Sequence, residues 1–496
     1  MNTQIRRLFL VFAVLFGALV AMSTYWLWRA PELEARQGNP NVVVRQLTIE
    51  RGRIFAADGK TVLAGNRKEK VQGRTWYLRR YPERGLAAQA IGYSTIQRSR
   101  SGLEESLNDY LAGSNADLST VVDRAADTLR GLTQRGNDVV TTLNVRAQRT
   151  ALQALGGRCG AVVALEPETG RVLVMASSPT FDPNLVERNF RRIERTAAPC
   201  RPASPLLNRA TDGLPNPVFI PGSTFKVITA AAALDSGRFN PSSRFDDPGY
   251  CIEYGRRVFN YADQSGPAVY GNVDFAEAVE NSINSVFCEL GKQLGPRMIL
   301  DYAKRFGFYE EPPLETPEDE RTPSGLWHDG RLFEPREPNQ VDPGRLAFGQ
   351  ERLLVTPLQM AMVVAAIGNG GVLMEPHLVE RIVSRDGDVV RTTRPDEMRR
   401  VLKERTAADL AAMMTRVVAS GTATSAQISG IEVAGKTGTA ETGRENQNDT
   451  GFVAFAPARG AKVAIAVYLQ NQDGTGGSTA APIAKAVLET LLRTIP

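Results

Sequence analysis

Ser223-Thr224-Phe225-Lys226 places a hydroxyl and an amine three residues apart. On a helix that spacing puts both on one face, so the two can meet. A serine hydroxyl is a weak nucleophile until a neighbouring base takes its proton, and a lysine held near neutrality can be that base. Pro221-Gly222 stands just before the pair, and the apolar run behind it predicts a helix from Ser223 to Leu234 with Gly237 as its stop. The unpaired N–H groups at such a helix start carry partial positive charge and disfavour a charged Lys226 in the first turn. Burial among apolar neighbours disfavours it further. Taken alone, the string also reads as an N-cap serine with an unrelated lysine, so its meaning depends on partners elsewhere in the chain.

Two further constellations offer such partners. Ser282-Ile283-Asn284 falls at a break between two helical stretches. It supplies a hydroxyl for proton relay and an amide to hold Lys226 or a substrate carbonyl; by itself it is an ordinary turn. Lys436-Thr437-Gly438-Thr439 ends a run with strand character. Lys436, Thr437 and Thr439 are suited to a terminal carboxylate, and Gly438 lets a substrate backbone come close. An N–H at the edge of such a strand can supply half of an oxyanion hole.

The elements that must position these residues read as a mixed fold. Ala161 to Leu165 and Arg171 to Ala176 are β-branched runs around Glu168-Thr169-Gly170, a hairpin signal. Strands are expected at Ile431 to Thr439, Gly451 to Phe455 and Lys462 to Leu469, and a closing helix from Ala481 to Leu492. Between them, helices are predicted from Asp274 to Glu280, where Asp274 and Glu277 have capping-box spacing, and from Thr356 to Ile367. Strands at both ends with helices between them indicate an α+β domain with an antiparallel sheet. Tyr309 to Pro343, rich in Pro and acids, reads as a long surface loop. Upstream, Glu32 to Asn137 is polar and Arg-rich, with strand-like pieces at Val42 to Ile49 and Thr61 to Ala64; Asp138 to Leu143 then reads as a strand and Ala147 to Leu155 as a helix.

Composition narrows the alternatives. The chain has 496 residues, 42% hydrophobic and 23% charged, with a net charge of +5. The basic residues are scattered, and no nucleic-acid-binding motif accompanies them. Arg67, Lys68, Lys70 and Arg74 read as a solvated face, with anionic lipid or wall polymer as the sharper alternative. His328 and His377 are the only histidines, which nearly excludes a His-based metal cluster. Of the four cysteines, Cys200 and Cys251 lie among loop residues and are the first pair to join, Cys288 is expected as a buried thiol, and Cys159 is unassigned. Leu8 to Trp28 is uncharged and long enough to span a bilayer. Its run into Tyr25, Trp26 and Trp28 suits an interfacial belt and favours an anchor over a cleaved signal. With only a short stub before it, the large polar part is expected to lie outside the cytoplasm.

S-x-x-K, S-x-N and K-T-G in this order form the recognised signature of penicillin-binding proteins and class A β-lactamases. Around the signature, Val162 to Gly170 resembles the first hairpin of the transpeptidase fold, and Asn208-Arg209-Ala210, Gly349-Gln350 and Thr356 to Ala361 also fit. Glu351 stands where the family usually has Gly. Arg51-Gly52-Arg53-Ile54 with Asp58-Gly59, and Gly102-Leu103-Glu104, resemble the pedestal of the class B enzymes; Asn39-Pro40 feeding into Ile49-Glu50-Arg51-Gly52 is most similar to the actinobacterial penicillin-binding protein A group. The resemblance implies a penicillin-binding transpeptidase domain over 151–496 with a five-stranded antiparallel sheet, an elongated α/β pedestal over 29–150, and one transmembrane helix within 1–28. It implies D,D-transpeptidation in cell-wall synthesis with Ser223, Lys226, Ser282 and Asn284 catalytic and Lys436, Thr437, Gly438 and Thr439 binding substrate. β-Lactams are the implied inhibitors, and a polytopic membrane glycosyltransferase of the shape, elongation, division and sporulation type is the implied partner. No metal or organic cofactor is required. The rivals are a β-lactamase, a D,D-carboxypeptidase and a non-catalytic β-lactam-binding scaffold or sensor. The string Glu104-Glu105-Ser106-Leu107-Asn108 spells a β-lactamase element, but it lies upstream of Ser223 and reads as a decoy.

Overall fold

The computed structural model describes residues 2–34, 47–71, 73–96, 99–115, 135–196, 200–211, 217–263, 266–442 and 447–494. Asn39-Pro40 and residues 42–46 of the strand expected over 42–49 lie outside them, and Leu47 to Ile49 do not form a strand. A single helix runs over Asn2–Glu34, and its segment Gln4–Trp26 is long and apolar enough to cross a membrane. Leu8, Phe12, Phe16 and Leu19 on it are all exposed, so none of the described residues covers this surface.

The catalytic-type domain is organised on one antiparallel sheet of five strands. Their order is Ala434–Glu441, Asn448–Ala456, Val463–Gln472, Gly160–Leu165 and Val172–Ser178. The middle strands are buried on both faces and are near-continuous apolar runs. Helix Gly476–Leu492 covers one face, packing also on helix Val145–Leu155; helix Pro357–Gly368 also contacts the sheet. Thr356 caps the latter by accepting the N–H of Gln359. The expected helix over Asp274 to Glu280 is Phe275–Glu280, with the capping box of Asp274 and Glu277 formed.

A second sheet of six strands carries the N-terminal region. Ile54–Phe55, Val62–Val71, Arg74–Arg80 and Asp138–Thr141 are joined there by Val379–Val383 and Val389–Thr392 from late in the chain. The basic stretch lies on the Val62–Arg80 hairpin, where Lys68 pairs with Glu50 and Arg67 with Glu69. Tyr309 to Pro343 is not the surface loop expected. Gly325–His328 pairs with Arg331–Leu332 and Leu353–Leu354, Leu314, Leu326 and Val341 are buried, and Glu315 accepts the N–H groups of Leu378 and Val379. Single apolar residues spaced among the prolines and acids anchor this segment, and no periodicity announces them.

The cysteine pairing also differs. Cys159 is bonded to Cys200 and Cys251 to Cys288, with Cα–Cα separations of 5.4 and 6.5 Å. Cys159 precedes the strand Gly160–Leu165, and Gln470 ties it to the segment of Cys200 by accepting N–H from Arg201 and donating to its carbonyl. Cys288, on helix Asn284–Leu294, faces the hairpin Tyr250–Phe259 that carries Cys251. Tertiary pairing, not loop character, chooses the partners.

Candidate active site

Gly222–Phe225 forms a tight 3-10 turn that continues into helix Lys226–Asp235. In a 3-10 turn, residues three apart eclipse one another, so Ser223 and Lys226 are brought to one side. Gly222 takes φ of 50°, and a Cβ there would stand 2.8 Å from the Thr439 carbonyl oxygen. The turn is held below by Thr224, whose hydroxyl lies 2.6 Å from the Tyr468 hydroxyl on a central strand. Ser223 itself is half-buried, and its hydroxyl makes no hydrogen bond among the described residues.

Lys226 is buried at the centre of the site. Its Nζ donates to the Ser282 carbonyl at 2.7 Å and the Asn284 side-chain oxygen at 2.7 Å, and lies 3.3 Å from the Ser282 hydroxyl. Its nitrogen sits 5.1 Å from the centre of the Phe287 ring. Ser282 adopts φ of 57° at the break between helices Phe275–Glu280 and Asn284–Leu294, which aims both its carbonyl and its hydroxyl at the lysine. A non-glycine residue in this left-handed region is uncommon and clusters at functional sites. Asn284 is fixed in turn by donating to the Phe259 carbonyl at 2.9 Å.

The third constellation closes on the same hydroxyl. Lys436, on the edge strand Ala434–Glu441, donates to the Ser282 hydroxyl at 2.8 Å. Two lysines therefore converge on one side chain. Burial, then the neighbouring Lys436, hold the Lys226 amine well below the ordinary lysine value. Burial lowers Lys436 to about 7. Thr437 is positioned by a 2.6 Å contact with the Thr422 hydroxyl, and Thr439 accepts the N–H of Gly476 at 3.1 Å. Gly438 lets the edge strand meet the nucleophile turn, since a Cβ there would stand 2.6 Å from the Pro221 carbonyl oxygen. All eight residues singled out from sequence lie in these three facing elements. Sequence reasoning missed Tyr468, Phe287, Thr422 and the Phe259 carbonyl, which enter by long-range packing and carry no local signal.

Two features flank the site. The hairpin Tyr250–Phe259 is pinned beside Asn284 by Asp247, which accepts from the Ser285 hydroxyl, the Asn260 amide and the N–H groups of Gly249 and Tyr270. The turn after Gly349 does take left-handed backbone at Glu351, φ 32°, and at Arg352, φ 58°. Glu351 is buried there beside Arg352 at 2.9 Å, with the Tyr254 hydroxyl 3.4 Å away. By contrast, the upstream decoy has another use. Glu104 is fully buried in the N-terminal region, 2.5 Å from Arg79 and 3.0 Å from Arg51, and Asn108 accepts from Arg51. Burial alone would raise this carboxyl; Arg79 and Arg51 outweigh it and hold it below the usual carboxylate value.

Comparison with known proteins agrees with this architecture. The penicillin binding protein transpeptidase domain matches residues 160–489, and the penicillin binding protein A dimerisation domain matches residues 51–139. The peptidoglycan D,D-transpeptidase PbpA of Mycolicibacterium smegmatis is 34% identical over 99% of this chain and 99% of its own. Its counterpart from Mycobacterium tuberculosis is 34% identical over 100% of both chains. The structure of penicillin-binding protein A from M. tuberculosis as a ceftriaxone acyl-enzyme complex superposes with a TM-score of 0.79 at 31% identity, covering 91% of this chain and 100% of that one. With the three motifs gathered around one buried lysine and the likeness running through both sheets, the chain belongs to the class B penicillin-binding proteins of the transpeptidase family.

Proposed function

We propose that the protein is a peptidoglycan D,D-transpeptidase that cross-links stem peptides through an acyl-enzyme on Ser223. The observation that carries this reading is the convergence of Lys226 and Lys436 on the Ser282 hydroxyl, 3.3 and 2.8 Å away. Ser223 is the nucleophile and attacks the carbonyl of the penultimate D-Ala, forming an ester as the bond to the terminal D-Ala breaks. Lys226, neutral, accepts the serine proton, and Ser282 relays a proton to the departing amine. Lys436, Thr437 and Thr439 hold the terminal carboxylate, and Gly438 admits the peptide backbone. The N–H groups of Ser223 and Thr439 stabilise the oxyanion. An amine on a neighbouring stem then displaces the serine. A β-lactam acylates Ser223 in the same way and has no leaving group that departs.

The chain divides into an anchor over 1–28, a pedestal over 29–150 and the transpeptidase domain over 151–496, with the hairpin Val379–Thr392 lent to the pedestal sheet. The apolar N-terminal helix supports a single-pass bacterial membrane protein with its N-terminus in the cytoplasm and its catalytic domain outside. A polytopic membrane glycosyltransferase is the partner that supplies glycan strands. The test is to label the full chain in detergent with a fluorescent penicillin, chase for hours, and follow cross-linking of stem peptides in parallel. A persistent label absent from Ser223→Ala, together with dimeric peptide product, is expected. A label lost within seconds would make the protein a β-lactamase, and label without product would leave a scaffold or sensor.

A further inference from the structure

A cavity of about 600 Å³ lies away from the catalytic lysines, where the N-terminal sheet meets the transpeptidase domain. Its walls come from strand Arg74–Arg80, the turn after it, residues 94–96 and helix Asn184–Arg188. The junction is tightly tied. The Asn184 amide accepts the N–H of Tyr81 at 3.0 Å and donates to its carbonyl at 2.9 Å, and Glu187 accepts the N–H of Ile96 at 3.0 Å. The space is therefore a built feature between two parts of the chain, of a size that holds a small molecule.

The lining is cationic in an unbalanced way. Arg80, Arg84 and Arg188 face it, and none of their side chains has an ion-pair or hydrogen-bond partner among the described residues. Arg67 also lines it but is answered by Glu69. Arg79 forms part of the wall with its side chain 5% exposed, and its second terminal nitrogen has no hydrogen-bond partner. It shares the single carboxylate of Glu104 with Arg51, which leaves one positive charge uncompensated behind the wall. The acids on the lining are Asp182, engaged by Asn184 at 2.7 Å, and Glu187. Among the described residues, three open arginines and one uncompensated charge against two acids leave a balance of two positive charges. Guanidinium forks match phosphate oxygens in pairs, and a buried charge without a counterion is costly.

We propose that this junction is a binding site for a phosphate-bearing ligand of about two negative charges, a diphosphate or phosphate ester, distinct from the transpeptidase site. The ligand is drawn by Arg80, Arg84 and Arg188 and supplies the counter-charge that Arg51 and Arg79, sharing Glu104, leave unmet. The test is calorimetric titration of the full chain in non-ionic detergent at low salt with pyrophosphate, for wild type and for the triple variant Arg80→Gln/Arg84→Gln/Arg188→Gln. These three side chains are exposed, so the variant should fold, which unchanged penicillin labelling of Ser223 verifies. Saturable one-to-one binding in wild type, weakened at least tenfold in the variant, is expected. Equal binding by both proteins, or no saturable binding by wild type, overturns the proposal. Dihexanoyl phosphatidylglycerol below its micellar concentration is then added as competitor. Displacement of pyrophosphate assigns a lipid headgroup, and retention assigns a soluble or polymer-borne phosphate.

Discussion

At the scale of residues, the chemistry turns on two buried lysines that need opposite protonation states. Lys226 works as a base only when neutral, and burial with Lys436 beside it moves it in that direction. Lys436 recognises a carboxylate only when charged, and burial brings it to about 7. The second-order rate of acylation by benzylpenicillin reports groups of the free enzyme. It rises with pH as Lys226 deprotonates and falls as pH passes about 7, where Lys436 loses its charge. Lys436→Arg keeps a cation at all accessible pH, so the falling limb vanishes even if the absolute rate drops. A falling limb that stays in place in that variant would assign it to another group. Lys226→Ala removes the base and is expected to slow acylation by roughly 10³-fold with little change in melting temperature, since the space left is lined by polar groups able to hold water. Stopped-flow acylation and a thermal melt check both.

Elements act by holding those side chains within tenths of an ångström. Gly438→Ala places a methyl 2.6 Å from the Pro221 carbonyl and 2.8 Å from the Thr224 side chain, so the edge strand and the nucleophile turn must separate. A misplacement near 1 Å costs about 10²-fold in rate, and that loss is expected in acylation; a variant that acylates at wild-type speed would show that this contact does not set the geometry. Asp247→Ala frees Ser285, Asn260 and the hairpin Tyr250–Phe259 together, a destabilisation on the order of 2–3 kcal/mol with slower acylation through Asn284, read by denaturant melts and labelling. Much of this level was legible beforehand. Ser223, Lys226, Ser282, Asn284 and the Lys436-to-Thr439 run declared themselves by type and order, and the flanking strands and the Asp274 cap by local pattern. The hairpin at Tyr250–Phe259, the buried ties within Tyr309 to Pro343 and the cysteine partners did not, because each depends on contacts between distant segments. The strands over Val379–Val383 and Val389–Thr392 likewise join the N-terminal sheet through pairing that no local window contains.

The whole molecule is welded across its two sheets, and Glu104 shows what the weld requires. Read as a string, Glu104 to Asn108 matches a deacylating element; in the fold it sits in the N-terminal region with Arg51, Arg79 and the Tyr81 hydroxyl on its carboxylate. Arg79 continues to the Gly52 carbonyl at 2.8 Å, and Gly102 at the head of the same short helix donates to Glu320 of the transpeptidase domain at 3.0 Å. Glu104→Gln keeps the shape but removes the carboxylate that the two buried guanidinium groups of Arg51 and Arg79 share. Breaking a buried ion pair this way costs about 3–5 kcal/mol because the partners remain charged and enclosed. The same change leaves the chemistry at Ser223 untouched, since no part of Glu104 reaches it. The expected result is therefore a large fall in melting temperature with the lifetime of the penicilloyl-enzyme unchanged below the melt. A shift in that lifetime, with the fold intact, would mean that the carboxylate governs deacylation after all and would move the protein toward the β-lactamases.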